Sequence, residues 1–412
     1  MILPRVDPAE LRFVGAADVH KRGRLAGRLV REAAGVRFEY LPEYLDDPDA
    51  PAVATTLPRT TEPTITPSGA VPPFFAGLLP EGRRLGALRR AVKTSADDEL
   101  SLLLAVGRDT IGDVEVLSAG YEPDSASPGL EVASWSDVVF ADLYTDMTGE
   151  RLVRPRAGLA GVQPKVSAEV VSLPVRRAGE RFILKLDPPD LPHLVANEAF
   201  FLDAARRSGL AVAEAEVVHD GAGEPGLLVR RFDRTVHDRA VVVLAQEDAA
   251  QVLGRYPADK YTVTTEAVVA ALARVTGAPV VAARDLVRQF AFAYLTANGD
   301  AHAKNFSVLQ GLDGEWHVSP AYDLPSTHPY GDHTMALSIG GATDERLGRA
   351  DFVALGEGVG VPSRATEKLL DDLVGRVELW LPDLDALPFD ARTTHKLRRA
   401  IEYRRDRLAQ RG

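Results

Sequence analysis

The segment NGDAHAKNFS, residues 298–307, carries an aspartate and an asparagine five positions apart, Asp300 and Asn305. It follows ARDLVRQFAFAYLTA, an apolar stretch with the periodicity of a buried helix. The separation D-x-x-x-x-N is also that between the base and a magnesium ligand in the catalytic loop of protein kinases. We therefore interpret Asp300 as a candidate general base and Asn305 as a candidate Mg²⁺ ligand.

A second candidate ligand lies 18 residues after Asn305, as Asp323 in VSPAYDLPS, beyond the hairpin-like FSVLQGLDGEWHV. Phosphoryl transfer needs one carboxylate to accept the proton of the attacking hydroxyl, and hard oxygen ligands to hold the metal on the phosphate oxygens. His302 and Lys304 lie between base and ligand. We include His302 in the catalytic set and expect it to brace the loop by hydrogen bonds rather than to titrate.

Upstream, the predicted strand ERFILKLDPP carries Lys185, and the helical pattern HLVANEAFFLDAARRSGL carries Glu198, 13 positions later. Kinases hold a strand lysine against the nucleotide phosphates with such a helix glutamate. Both residues also have a simpler interpretation, as a lysine with a solvated head and as a surface carboxylate. Before them, RPRAGLAGVQPKVSAEVVSL places Gly158 and Gly161 ahead of a β-branched run, which suits a turn over phosphates, although most such turns bind no ligand.

The composition limits the class of protein. With 412 residues, 45% hydrophobic and 26% charged, the chain is typical of a soluble globular protein of two or three domains. It has no cysteine, which excludes disulfides and thiolate zinc sites. The start, MILPRVDPAELRF, lacks a secretion signal, and no stretch approaches the ~20 apolar residues of a membrane span, so we expect a cytoplasmic protein without a membrane partner. The net charge of −11 argues against nucleic-acid binding by the chain as a whole, although it leaves room for a local basic patch.

The composition also changes along the chain. The stretch YEPDSASPGLE, within residues 121–135, is rich in turn-forming residues and is the candidate linker. Before it, the alternating runs GRLAGRLV and VRFEYLPEYL predict a small hairpin-rich unit. Beyond about residue 240, helical patterns dominate. The sequence therefore predicts a β-containing lobe followed by a helical lobe.

Several motifs occur in a fixed order, from about residue 5 to beyond residue 340: PPFFAGLLPEG with LLLAVGRDTIG, GLAGVQPKVS, ILKLD, NE, RRFDR, QEDAAQVLG, NGDAHAKNFS and SPAYDL. Together they resemble the HipA-like serine/threonine kinases, toxins of bacterial toxin–antitoxin pairs. The resemblance implies an α+β, two-lobed protein-kinase-like fold. It implies a small N-terminal β-containing subdomain at 1–120, a linker and the start of the nucleotide lobe at 121–150, a nucleotide-binding lobe at 151–235 and an all-helical C-terminal lobe at 236–412.

The resemblance also implies roles for individual residues towards ATP and Mg²⁺. Lys185, supported by Glu198, would contact the ATP phosphates, and Asn305 and Asp323 would hold the metal. The other cofactor-binding candidates are Lys304, the backbone from Arg230 to Phe232 beside the adenine, and five residues of the glycine-containing loop, namely Gly158, Ala160, Gly161, Val162 and Lys165. The role of Gln246, Glu247 and Asp248 is left open.

Two positions depart from the family pattern. Gly158 stands where the best-known HipA proteins carry a serine, whose autophosphorylation silences the kinase. Ser167, inside the predicted strand, is a poor substitute, and Arg230 replaces an acidic residue that relatives often show. We therefore expect phosphotransfer without this form of self-regulation.

The resemblance implies a protein substrate, aminoacyl-tRNA synthetases being known targets in the family. It also implies a HipB-like helix-turn-helix antitoxin, through which alone the protein would meet DNA. The basic run HKLRRAIEYRRDRLAQR is more typical of a solvated helix than of a phosphate contact.

Three alternatives stay open. The order D-x-H-x-x-N also resembles small-molecule and phosphoinositide-type kinases. A pseudokinase would only bind a partner. A metallohydrolase on Asp300, His302 and Asp323 would leave Lys185 without a task. The sequence does not identify the protein target, the antitoxin or the oligomeric state.

Overall fold

The structure, a computed structural model, describes residues 7–107, 110–120, 130–149, 171–177, 179–237 and 240–410. Most of the candidate linker, residues 121–129, lies outside this set. The described residues form an N-terminal β-rich subdomain, a second sheet, and a mainly helical C-terminal lobe. None of their helices is both long and apolar enough to cross a membrane.

The N-terminal subdomain is built on an antiparallel sheet of order β4-β3-β2-β1-β5, as the alternating sequence runs predict. Gly27 in β2 is required by packing, because a Cβ there would lie 2.5 Å from Glu39 O and 2.8 Å from the Phe38 ring. Short helices close the apolar face of the sheet around Phe75, which is fully buried. The strands are β1 (Ala16–Lys21), β2 (Arg24–Glu32), β3 (Gly35–Tyr40), β4 (Thr64–Pro67) and β5 (Val114–Ser118), and the helices are α1 (Pro42–Leu45), α2 (Pro73–Gly77), α3 (Gly82–Val92) and α4 (Glu99–Val106).

The second sheet has the order β6-β7-β8-β10-β9 and is antiparallel except for the pair β6–β7. In β8, Phe182, Leu184 and Leu186 alternate into the core, which leaves Lys185 on the opposite face. The elements of this region are β6 (Leu130–Glu131), α5 (Phe140–Thr148), β7 (Val171–Arg177), β8 (Glu180–Leu186), α6 (Leu194–Arg207), β9 (Ala215–His219) and β10 (Pro225–Arg230).

The C-terminal lobe is mainly helical, but it also contains a hairpin and a three-stranded antiparallel sheet, β13-β14-β15. The two-lobed α+β architecture is confirmed, and the expectation of an all-helical lobe is refined by these short strands. The strands are β11 (Arg234–His237), β12 (Ala240–Val243), β13 (Gln246–Asp248), β14 (Ser307–Gln310) and β15 (Trp316–Val318), and the helices are α7 (Ala249–Val252), α8 (Thr265–Val275), α9 (Pro279–Leu295), α10 (Arg349–Gly358), α11 (Ser363–Gly375) and α12 (Ala391–Ala409).

Helix α6 packs into the core of the C-terminal lobe, although its sequence lies between strands of the second sheet. Phe201 of α6 is fully buried, and its ring centroid lies 6.3 Å from that of Trp380. Trp380 Nε1 donates to Ser208 Oγ at 2.9 Å, just beyond the helix. The helix that carries Glu198 is thus fixed relative to the C-terminal lobe, where Asp300, Asn305 and Asp323 lie.

Candidate active site

Lys185 of β8 lies between two carboxylates. Its Nζ is 2.7 and 3.0 Å from the two carboxylate oxygens of Glu198 on α6, and 2.8 Å from Asp323 Oδ1. The Glu198 side chain is 3% exposed and that of Asp323 is 26% exposed. The predicted pairing of Lys185 with Glu198 is confirmed, and the alternative of two solvated surface groups is wrong.

The charges of this cluster do not balance, because one ammonium faces two carboxylates. Burial raises the pKa of Glu198 to about 7, with Lys185 opposing the shift and Asp323 adding to it. Burial opposes the charge of Lys185, but Asp323 and Glu198 outweigh it and raise the pKa of the lysine. Burial likewise acts against ionised Asp323, yet Lys185 holds the pKa of Asp323 below its ordinary value. The cluster is therefore short of one positive charge when both carboxylates are ionised.

Asp323 is joined by hydrogen bonds to two asparagines of the candidate catalytic loop. Asn305 Nδ2 donates to Asp323 Oδ2 at 2.6 Å, and Asn305 Oδ1 accepts from the backbone N–H of His302 at 3.1 Å. Asn298 Nδ2 donates to the backbone carbonyl of Asp323 at 3.4 Å. Asp323 has φ of 58°, in the left-handed region, and so has Ala297 with φ of 55°, two residues after the end of α9. These turns bring residues 18 apart in sequence to one place.

Asp300 is 5% exposed and accepts a hydrogen bond of 2.5 Å from the Tyr261 hydroxyl at its Oδ1. Its backbone N–H donates to Asn298 Oδ1 at 3.0 Å. Gly299 between them is required, because a Cβ there would lie 2.7 Å from the Asp332 carboxyl carbon and 2.8 Å from Thr334 O. The loop thus presents a carboxylate that is already bonded to a hydroxyl.

His302 is 2% exposed, and neither ring nitrogen has a hydrogen-bond partner among the described residues. The ring instead packs edge-on against Tyr261, with centroids 5.0 Å apart. Burial, helped by the nearby Lys260 ammonium, lowers the pKa of His302 to about 3. The expectation that this ring braces the loop through hydrogen bonds is therefore wrong, because its two buried nitrogens find no partner among the described residues. The expectation that the ring does not titrate agrees with its low pKa.

Lys304 contacts the N-terminal subdomain. Its Nζ donates to the Gly77 carbonyl at 3.1 Å and lies 3.1 Å from Glu81 Oε1. These contacts hold Lys304 against the N-terminal subdomain and do not support its candidate role as a nucleotide contact.

Glu247, whose role was open, accepts at its carboxylate from the Thr55 N–H at 2.8 Å and the Thr55 hydroxyl at 2.6 Å.

The predicted adenine segment begins at Arg230, the last residue of β10. The backbone N–H of Arg230 donates to Glu214 O at 2.8 Å, and that of Arg231 donates to Arg181 O at 3.0 Å. An adenine would therefore have to use other backbone atoms here. The Phe232 ring lies 5.6 Å from the ring of Tyr322, the neighbour of Asp323. The five loop candidates, Gly158, Ala160, Gly161, Val162 and Lys165, and also Ser167, lie outside the described residues.

Sequence reasoning missed two contributors to this site, Tyr261 on Asp300 and Glu81 on Lys304. Tyr261 stands in the short segment ADKYT, which shows no helical or strand periodicity that would single it out. Its partner Asp300 lies 39 residues away. Glu81 lies in the quoted motif PPFFAGLLPEG. That motif could have singled out Glu81 as a candidate without naming its partner.

Comparison with known proteins gives the family. The HipA-like C-terminal domain matches residues 157–381, and the HipA N-terminal domain matches residues 17–117. A putative kinase Y4mE of Sinorhizobium fredii is 32% identical over 406 residues, covering 90% of this chain and 94% of that protein. The serine/threonine-protein kinase toxin HipA of Shewanella oneidensis is 28% identical, covering 77% of this chain and 79% of that protein.

A solved structure gives the same fold. A chain in the complex of HipA, HipB and operator DNA from the Shewanella oneidensis toxin–antitoxin system superposes with a TM-score of 0.76 at 22% identity. The superposition covers 95% of this chain and 97% of that one. With the two matching domains and the 32% identical relative, these findings show that the chain belongs to the HipA family.

Proposed function

We propose that this protein is an ATP- and Mg²⁺-dependent serine/threonine protein kinase that acts as a HipA-type toxin. The observation that supports this most is the contact of Lys185 with both Glu198 and Asp323, while Asn305 holds the other oxygen of Asp323. A strand lysine, a helix glutamate and an aspartate–asparagine pair are the parts by which kinases position a nucleotide. Two relatives are named kinases, which supports the same reaction.

The residues present fit magnesium. No cluster of three or more histidine, aspartate or glutamate side chains suited to a metal occurs among the described residues. Mg²⁺ in kinases is commonly held by one or two protein oxygens together with the phosphates, and Asp323 and Asn305 can supply these. The missing positive charge between Glu198 and Asp323 is further support. The bound metal would neutralise charge on the phosphate oxygens.

The chain's own residues would do the rest. Lys185 would turn from Asp323 towards the phosphates while Glu198 keeps its ammonium in place. Asp300 would accept the proton of the acceptor hydroxyl, which would take the position now held by the Tyr261 hydroxyl. His302, neutral and buried, would support the loop by packing. The loop with Gly158, Ala160, Gly161, Val162 and Lys165 would cover the nucleotide, and the segment Arg230 to Phe232 would line the adenine.

The biological role follows the family. We propose that the kinase modifies a cytoplasmic protein, with an aminoacyl-tRNA synthetase as first candidate, arrests growth, and is neutralised by a HipB-like antitoxin that makes the DNA contacts. The solved relative with HipA, HipB and operator DNA supports this partner, and a net charge of −11 suits a protein that leaves DNA to another chain. We retain the domain division 1–120, 121–150, 151–235 and 236–412 as part of the proposal.

The test compares wild type with Asp300→Asn, with Asp385→Asn as the matched control because the Asp385 side chain is 76% exposed. Each protein is incubated with a lysate, ATP and magnesium, and phosphosites are mapped by mass spectrometry. We expect Asp300→Asn to lose about 10²–10⁴-fold in transfer rate, with nucleotide binding by fluorescent ATP analogue unchanged. Transfer at the wild-type rate would show that Asp300 is not the base. ATP binding by wild type without any transfer would favour the pseudokinase, and phosphate only on small molecules would favour the other kinase class.

A further inference from the structure

A carboxylate of the N-terminal subdomain reaches the candidate catalytic loop. Glu81 immediately precedes α3, and its Oε2 forms a short ion pair with Lys260 Nζ. Its Oε1 lies 3.1 Å from Lys304 Nζ. Lys304 stands in the loop between Asp300 and Asn305. One side chain from outside the two kinase lobes therefore contacts two cations beside the proposed base.

Both lysines are largely removed from water, with side chains 10% exposed for Lys260 and 13% for Lys304. A buried ammonium is stable only when it is paired. Burial alone would raise the pKa of Glu81, but Lys304 and Lys260 reverse this and lower it to about 2. Glu81 is thus ionised at every physiological pH, and it is the carboxylate that these two ammonium groups share.

The two lysines also connect to the loop through its backbone. Lys304 belongs to the loop, and the backbone carbonyl of Lys260 accepts a 3.1 Å hydrogen bond from the N–H of Ala303. Tyr261, the next residue after Lys260, donates to Asp300. A displacement of Lys260 would therefore change both the course of the loop and the hydroxyl that contacts the base.

The subdomain that carries Glu81 is held firmly against the rest of the chain. Thr55 bonds both carboxylate oxygens of Glu247, and Gln251 Nε2 donates to the Phe74 carbonyl at 2.9 Å. On another edge, the Gly112 N–H donates to Asp233 Oδ2 at 2.9 Å. Because these hydrogen bonds fix the position of the subdomain, Glu81 can in turn fix the position of the two lysines.

We propose that Glu81 is a positioning residue for phosphotransfer: it holds Lys304 and Lys260 so that the loop keeps Asp300 and Asn305 in their working arrangement. The N-terminal subdomain is then a part of the active centre. This inference rests on the proposed kinase function. Glu81 acts through the lysines and touches neither nucleotide nor acceptor.

The first test measures kinetics of Glu81→Gln, which keeps the shape and removes the charge, beside Glu43→Gln, a neutralised exposed glutamate of α1. We expect a 10- to 100-fold lower kcat with the KM for ATP within threefold, and no change for the control. A double-mutant cycle combines Glu81→Gln with Lys304→Met. We expect the kcat of the double variant to be within threefold of the kcat of the slower single variant, because the two residues act as one unit. Multiplied effects, or a raised KM with normal kcat, would overturn the proposal.

The second test does not depend on activity. Amide hydrogen exchange of nucleotide-free protein should become at least tenfold faster in residues 298–307 of Glu81→Gln, while α9 stays protected as in wild type. Protection of α9 shows that the variant is folded. Unchanged exchange in the loop of Glu81→Gln would refute the positioning role, even if the protein transferred no phosphate. If the wild type were inactive but the loop of Glu81→Gln exchanged faster, only the kinase assignment would be rejected.

Discussion

Replacing Lys185 with methionine removes the ammonium that bonds both Glu198 and Asp323, and leaves two carboxylates facing each other. Breaking a buried ion pair by removing one partner costs about 3–5 kcal/mol. The Glu198 side chain is 3% exposed and stays out of water, whereas that of Asp323 is 26% exposed and is partly hydrated. We therefore take the lower limit of this destabilisation, about 3 kcal/mol. For a folding unit of the size of these lobes, this lowers the melting temperature by about 6–12 °C.

The informative comparison is with Asp323→Asn, which should be equally inactive but much less destabilised. It leaves one ammonium facing one carboxylate, so we expect a loss of no more than about 1 kcal/mol, or about 2–4 °C. Lys368→Met, at an exposed lysine of α11, controls for the change of side chain. Stability thus separates two variants that an activity assay cannot distinguish.

The assay is calorimetric unfolding without nucleotide or magnesium, at pH 8 and again at pH 6. Burial already raises the pKa of Glu198 to about 7, and loss of the lysine raises it further, so at pH 6 the carboxyl is protonated and the penalty should shrink. A Lys185→Met protein that melts within 2 °C of wild type at pH 8 would contradict this reasoning. So would an Asp323→Asn protein that loses as much as Lys185→Met.

Two further outcomes are expected. Thr55→Val removes the hydroxyl that donates at 2.6 Å to the buried carboxylate of Glu247. It should lower the free energy of unfolding by about 1.5–3 kcal/mol, measured by thermal unfolding with Thr56→Val as control. A change under about 0.5 kcal/mol would contradict this expectation. The pKa of His302 is lowered to about 3, below its unfolded value, so its contribution to stability is complete above about pH 6.5 and is lost as the pH falls. His302→Gln should therefore flatten the pH dependence of stability between about pH 6.5 and 5 by up to about 1.4 kcal/mol per unit, and an unchanged slope would show that the ring is not buried as a neutral group.

The sequence predicted the parts of the site whose spacing is set by local chemistry. Asp300 and Asn305 lie on one loop, Asp323 follows a hairpin, and Lys185 and Glu198 occur on a strand and the next helix, so short-range patterns were enough to propose that they meet. The contacts of Asn305 and Lys185 with Asp323 agree with that proposal. The catalytic and cofactor roles of these residues stay predictions.

The remaining features depend on contacts that no periodicity encodes. The ion pair of Glu81 with Lys260 spans 179 residues, and the bonds of Thr55 with Glu247 span 192. For His302, residue type suggested hydrogen bonding, but neither ring nitrogen has a partner among the described residues, and the ring packs edge-on against Tyr261. The short strands of the C-terminal lobe were missed in part because three- and four-residue strands such as Gln246–Asp248 carry too few alternations to stand out.

The left-handed backbone at Asp323 also restricts which amino acids the position can accept. A φ of 58° suits glycine, and among other residues it suits asparagine and aspartate best, because their short polar side chains bond locally. Glutamate offers the same carboxylate but has no such preference for this conformation. Of the residues that the backbone accepts readily, aspartate alone brings a negative charge. The backbone conformation and the ligand chemistry therefore favour the same residue type. Even the conservative exchange of aspartate for glutamate is disfavoured at this turn by the main chain, before the metal is considered.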